Sequence, residues 1–191
     1  LPNGLKKDQK FDEVILTPST KAEYGLHDEP ISRDKIINSL VDEDIYSQAE
    51  EYALKLFNEG QKWASQRGLI LVDTKYEFGI DEEGVITLAD EIHTPDSSRY
   101  WLASSYKQRH SNGEEPESLD KEFLRLWVSK QCDPYKDSIP EIPVATLLEF
   151  SKKYISLFEQ VTGEPFEKPE NTNPIRERIR KNLADALPDF F

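Results

Sequence analysis

Residues 69–79 read Leu-Ile-Leu-Val-Asp-Thr-Lys-Tyr-Glu-Phe-Gly. Four successive apolar residues mark the start of a buried strand, and charge then alternates with non-charge. Residues two apart on a strand share a face. Asp73, Lys75 and Glu77 therefore share one side, and Val72, Thr74, Tyr76 and Phe78 share the other. Because the strand begins buried, the three charges are expected near or inside the core. Charges there need partners or a ligand to offset desolvation. A turn at Asp81-Glu82-Glu83-Gly84 and a second strand, from 85 to about 92, complete a hairpin. On the return arm Asp90 and Glu91 follow Ile86-Thr87-Leu88-Ala89, so pairing brings Glu77 and Asp90 together at one mouth. Two such carboxylates repel unless a cation or a proton lies between them. Mg²⁺ held by one or two carboxylates plus nucleotide phosphates meets that need. A ligand-free Asp–Lys–Glu ion network meets it equally well.

The rest of the chain supplies helices to cover this sheet. Ser32 is a candidate N-cap for a short helix to Leu40. Ile45, Ala49, Ala53, Leu56, Phe57, Gly60 and Ala64 recur at helical spacing, which predicts a long helix over 42–67 stopped by Gly68. Ser118 is a candidate cap for a helix to about residue 130. Pro143 and Gly163 bracket another. Pro174 opens a last amphipathic helix with Ile175, Ile179, Leu183 and Leu187 on one stripe, which needs a partner surface within this chain or on another. Val14-Ile15-Leu16 is a short strand candidate. The predicted class is α+β, with helices packed around a small, mostly antiparallel sheet.

Composition narrows the partners. The 191 residues carry 24 basic and 37 acidic side chains, a net charge of −13. That field disfavours non-specific binding to nucleic acid or to an anionic membrane. Cys132 is the single cysteine, which rules out an intrachain disulfide and fits a reducing compartment such as the cytoplasm. No apolar run approaches the ~20 residues of a membrane span, and no signal-peptide pattern opens the chain. With no initiator Met, the chain is expected to be a fragment or processed product whose natural start lies upstream. His27, His93 and His110 are too scattered for a metal-ligand motif.

Residues 94–101, Thr-Pro-Asp-Ser-Ser-Arg-Tyr-Trp, read as a polar loop. Arg99 in it is suited to bidentate recognition of a phosphate or carboxylate, and an ordinary Pro-Asp turn with a surface arginine is the plainer reading. Lys121 and Arg125 are four apart on a candidate helix and share a face.

Two stretches together are distinctive. Residues 71–79 (Leu-Val-Asp-Thr-Lys-Tyr-Glu-Phe-Gly) and 88–100 (Leu-Ala-Asp-Glu-Ile-His-Thr-Pro-Asp-Ser-Ser-Arg-Tyr) resemble the two signatures of SAICAR synthetases. Thr17-Pro18-Ser19-Thr20-Lys21, His27-Asp28-Glu29 and Asp120-Lys121-Glu122-Phe123-Leu124-Arg125 are also similar to that family. The resemblance spans about residues 1–165. Residues 166–191 resemble an extension that only some members carry.

The resemblance implies a kinase-like nucleotide-binding layout and an ATP-dependent ligase. Such an enzyme joins L-aspartate to carboxyaminoimidazole ribotide in purine biosynthesis, through an acyl phosphate. It implies Glu77 and Asp90 as ligands of Mg²⁺ on ATP, and Lys21 on the nucleotide side of the cleft. Lys75 is then the group beside the reacting centre, and Asp73 orients Lys75 or a substrate amine. Arg99, Lys121 and Arg125, with Asp96 and Ser97 of the second motif, face the ribotide. Asp28 either caps a neighbouring element or touches substrate. The family's N-terminal lobe, with its Gly-rich nucleotide-covering loop and phosphate-contacting lysine, has no counterpart in this sequence, so the chain is expected to be inactive alone. A small-molecule phosphotransferase and a non-catalytic binding or dimerisation module, including a homo-oligomer, remain open.

Overall fold

The computed structural model describes residues 4–22, 28–134, 136–168 and 173–190. His27, one of the residues carrying the resemblance, lies outside them. Among the described residues there are two short two-stranded antiparallel sheets, six α-helices and a 3-10 turn.

The first helix starts at its expected cap, and the second at the expected position, where an aspartate turns out to be the cap. Ser32 accepts from Lys35 N and opens α1 (Arg33–Ser39), and Asp42 accepts from Asp44 N and opens α2 (Glu43–Ser65). Gly68 follows with φ of +69°, a conformation that costs a residue with a Cβ but not glycine. The chain then enters β1 (Leu69–Thr74).

Here the structure departs from a single hairpin. β1 stops at Thr74, and the strand resumes as β2 (Phe78–Ile80), which pairs with β3 (Ile86–Leu88) in a separate ladder: Phe78 faces Leu88 and Ile80 faces Ile86. The partner of β1 is β4 (Ser98–Leu102). The segment expected as a polar loop is therefore half strand. Its alternation of buried Ser98 and Tyr100 with exposed Arg99 is the period-2 pattern that the motif's polar composition obscures. Val14, Ile15 and Leu16 form no strand, and Ile15 and Leu16 remain exposed.

α3 (Ala103–Asn112) follows β4 directly, an element without apolar periodicity to announce it. Next, residues 117–119 run beside β4: Leu102 N donates to Glu117 O at 3.0 Å, and Leu119 N donates to Tyr100 O at 3.0 Å. Ser118 is thus bridged to Trp101 and is not a helix cap. α4 (Glu122–Gln131) begins later, and Asp120 Oδ1 accepts from Glu122 N at 2.8 Å. α5 (Val144–Thr162) runs between Pro143 and Gly163, and α6 (Ile175–Ala186) follows Pro174.

The core is the apolar junction of α2, the β1–β4 ladder and α5. Ala64, Leu69, Leu71, Tyr100, Leu119 and Leu157 are buried there, with Phe57, Leu102 and Val161 against them. The stripe on α6 is not covered: Ile175, Ile179, Leu183 and Leu187 are all exposed. No helix among the described residues is long and apolar enough to cross a membrane.

Candidate active site

A one-residue irregularity positions the first of the motif charges. Leu71 faces Tyr100, but the next paired residues are Asp73 and Arg99, so Val72 is an extra residue in the ladder. Without this bulge Asp73 would share the buried face of Leu69 and Leu71. With it, Asp73 turns to the outer face beside Arg99. The expectation that Asp73, Lys75 and Glu77 lie in or near the core is therefore corrected. Their side chains are 50%, 56% and 23% exposed. Water reaches the first two, so their desolvation is partial and ion pairing outweighs it at Lys75.

The exposed charges are nonetheless paired. Arg99 grips Asp73 with both ends of its fork, Nη2 to Oδ2 at 2.6 Å and Nε to Oδ1 at 3.1 Å. Lys75 Nζ lies 2.8 Å from Glu77 Oε1 and 3.7 Å from Asp28 Oδ2. Lys21 Nζ lies 2.5 Å from Glu77 Oε2. Glu77 thus sits between two ammonium groups, one on each oxygen. Its hydrogen bonds to Lys21 and then Lys75 hold its carboxyl down at about 2. The Glu77 hydrogen bond raises Lys75, with Asp28 and Asp90 adding to the attraction. Asp28 Oδ1 accepts from Ala22 N at 2.9 Å, the capping setting expected of it, while Oδ2 faces Lys75. Asp73 is held by Arg99, whereas the carboxylates on Lys75 come from Glu77 and Asp28.

Asp90 joins this group through the β2–β3 hairpin. Ala89 N donates to Glu77 O at 2.9 Å, and Asp90 follows immediately, within charge range of Lys75. Its Oδ1 accepts from Glu91 N at 2.8 Å. Glu77 and Asp90 offer hard carboxylate oxygens of the kind Mg²⁺ takes alongside phosphates. Among the described residues no group of three or more His, Cys, Asp or Glu side chains is placed to hold an ion.

Asp96 and Ser97 lead into β4. Ser98 N donates to Thr94 O at 2.9 Å, and Lys75 N donates to Ser97 O at 3.2 Å, so the two motifs are stitched together by backbone. Ser98 Oγ lies 2.8 Å from Thr74 Oγ1. Arg125 pairs with Glu122 at 3.3 Å, and Lys121 precedes the first turn of α4. Asp120 connects that helix to β4. It is fully buried, and its Oδ2 accepts from Tyr100 N at 2.7 Å while Oδ1 caps α4. Sequence reasoning gave Asp120 no role. An acidic residue just ahead of a helical apolar pattern was the available signal.

The two motif stretches supply most of this constellation, with Lys21 and Asp28 added from residues ahead of α1. The model of the SAICAR synthetase family matches residues 1–142. The chain belongs to the SAICAR synthetase family. The phosphoribosylaminoimidazole-succinocarboxamide synthase of Legionella pneumophila (strain Paris) is 50% identical over 188 residues, which cover 97% of this chain and 60% of that protein. A solved SAICAR synthase from Saccharomyces cerevisiae, complexed with SAICAR, superposes with a TM-score of 0.72 at 40% identity, covering 87% of this chain and 52% of that one. A type-2 SAICAR synthetase in complex with ADP gives a TM-score of 0.61 at 30% identity, over 86% of this chain and 57% of that one. This member of the family thus spans about 60% of the length of such relatives.

Proposed function

We propose that this chain carries the part of an ATP-dependent ligase that joins L-aspartate to carboxyaminoimidazole ribotide in purine biosynthesis. The observation that carries the reading is the Lys21–Glu77–Lys75 cluster, with Asp28 and Asp90 around it and the Arg99–Asp73 fork on the adjoining ladder. Paired charges of this kind suit the charge management that a SAICAR synthetase reaction requires. The solved relatives bound to SAICAR and to ADP support a ribotide-type and a nucleotide-type ligand.

The proposed reaction needs charge held in place. A carboxylate is a poor electrophile, so the γ-phosphoryl of ATP is first transferred to an oxygen of the imidazole carboxylate, releasing ADP. The aspartate amine then forms the C–N bond. The C–O bond to phosphate breaks, phosphate leaves with that oxygen, and the amine loses a proton. Lys21 and Lys75 are placed to neutralise phosphoryl oxygens, and they exchange Glu77 for that role when the nucleotide arrives. Glu77 and Asp90 would hold Mg²⁺, which supplies charge neutralisation on the phosphates when bound. Arg99 exchanges Asp73 for an anionic substrate group, and Asp73 is then available to a substrate amine. Lys121, Arg125, Asp96 and Ser97 complete the ribotide side.

We assign residues 1–165 to the catalytic portion and 166–191 to the extension. The exposed α6 stripe supports self-association, which sedimentation at rising concentration tests. A coupled assay with ATP, aspartate and carboxyaminoimidazole ribotide tests the reading. The enzyme carrying this chain is expected to form product, and Glu77→Gln in it to lose most turnover. The 191-residue chain alone is expected to form none, because the relatives are longer and no Gly-rich phosphate-covering loop occurs in its sequence. Unchanged turnover in the variant would remove the cluster from the mechanism.

A further inference from the structure

The segment bearing Asp90, Asp96 and Ser97 contains a residue that the proposed chemistry leaves unused. His93 has φ of +53°, a left-handed conformation uncommon for a residue with a side chain. It is half-buried, and three contacts hold it. Tyr76 Oη, from the connection between β1 and β2, is in hydrogen-bond contact with His93 Nε2. Tyr100 Oη, from β4, donates to the His93 carbonyl oxygen at 2.7 Å. Gly60 on α2 lies against the imidazole so closely that a Cβ there would sit 2.3 Å from Cε1 and 2.8 Å from Nδ1. Gly60 has helical φ, so its missing side chain serves this approach and not backbone freedom. A glycine on the buried stripe of α2 costs helix stability relative to alanine, which the close contact explains. Burial lowers the imidazole pKa and keeps the ring neutral.

We infer that His93 is a positioning residue, clamped between Gly60 of α2 and the Tyr76 and Tyr100 hydroxyls so that segment 90–97 is held in one place relative to the Lys75–Glu77 cluster. The inference rests on the proposed role of that segment in substrate and nucleotide binding. It predicts that α2, which contributes nothing to the charged cluster, governs where Asp90 and Asp96 stand. Three variants probe it: Tyr76→Phe removes one hydroxyl, Gly60→Ala pushes on the ring, and His93→Ala removes the ring. The fourth is the Gly60→Ala/His93→Ala pair, in which the added methyl no longer meets the imidazole, although Leu71 Cδ2 at 2.8 Å still resists it.

Amide hydrogen exchange on the 191-residue chain reads the placement directly. In Tyr76→Phe the amides of residues 91–98, Pro95 having none, are expected to exchange about 2- to 10-fold faster, the loss of one ordinary hydrogen bond, while those of Leu69 and Leu71 keep their rates. In the enzyme carrying this chain, KM for ribotide or Mg·ATP should rise by a similar factor in Tyr76→Phe. The Gly60→Ala effect should be smaller in the His93→Ala background than in the parent. Exchange that is unchanged at 91–98, or faster everywhere equally, overturns the positioning role. Additive effects of Gly60→Ala and His93→Ala overturn the clamp. Looser 91–98 amides with unaltered kinetic constants leave the clamp standing and instead remove segment 90–97 from the binding site.

Discussion

Glu77→Gln isolates the charge of the cluster while keeping its shape. In the parent, Lys21 and Lys75 hold the Glu77 carboxyl at about 2, against an ordinary value of 4.5. At face value that is worth about 3 kcal/mol of native-state stability. The two lysines are 79% and 56% exposed, so water and salt screen much of it. About 1 kcal/mol is the expected loss in the variant. The sign follows from linkage. A carboxyl depressed in the folded state stabilises fully above its ordinary value, and that stabilisation disappears as pH falls toward 2. Urea titrations of parent and variant at pH 7 in low salt should therefore differ by about 1 kcal/mol. The gap should close between pH 4.5 and 2, and should also shrink at about 1 M salt. In the enzyme, the Mg²⁺ concentration for half-maximal rate should rise on the order of 10- to 100-fold or more, since an inner carboxylate matters at least as much as an outer-shell partner. A variant as stable as the parent at pH 7, or one whose deficit persists unchanged at pH 2, refutes the pairing argument. A normal Mg²⁺ requirement refutes the ligand assignment separately.

Other outcomes follow from the same geometry. Arg99→Ala should weaken ribotide binding by about 10- to 150-fold, the value of a charge-assisted contact, with ATP affinity changed much less in direct titration. Equal loss of both would indicate damage to the β1–β4 ladder. Asp120→Ala strands the Tyr100 and Glu122 amides and should cost about 2–4 kcal/mol by chemical denaturation, whereas Lys121→Ala beside it should cost under about 1. Burial of neutral His93, contacted by the Tyr76 and Tyr100 hydroxyls, stabilises the fold above pH 6.5 and less as pH falls below it. His93→Asn, which tolerates positive φ, should flatten the stability profile between pH 7 and 5, measured by thermal melts.

Local chemistry made much of this molecule legible without coordinates. Ser32, Asp42, Pro143, Gly163 and Pro174 mark helix ends because capping and backbone freedom act within a few residues. The stripe over residues 45–64 identified α2, and Asp81 to Gly84 identified the turn. The two motif stretches pointed to the family through their residue order alone, and they contain the Lys75, Glu77, Asp90 and Arg99 of the cluster.

What lay beyond reach depended on which strand pairs with which. Period-2 alternation from Leu69 onward puts Asp73 on the buried face, and only the ladder with β4, slipped by one residue at Val72, turns it outward to Arg99. A bulge is a property of two strands, so one strand's pattern cannot announce it. The same holds for Asp120, whose burial arises because Tyr100 N and the first turn of α4 converge on it. It holds too for Gly60, an ordinary stripe residue until the imidazole of His93 is packed against it. Sequence determined most of the helix ends and the identity of the charged groups. Tertiary pairing decided their partners, because contacts between distant segments depend on register and approach, which no local preference encodes.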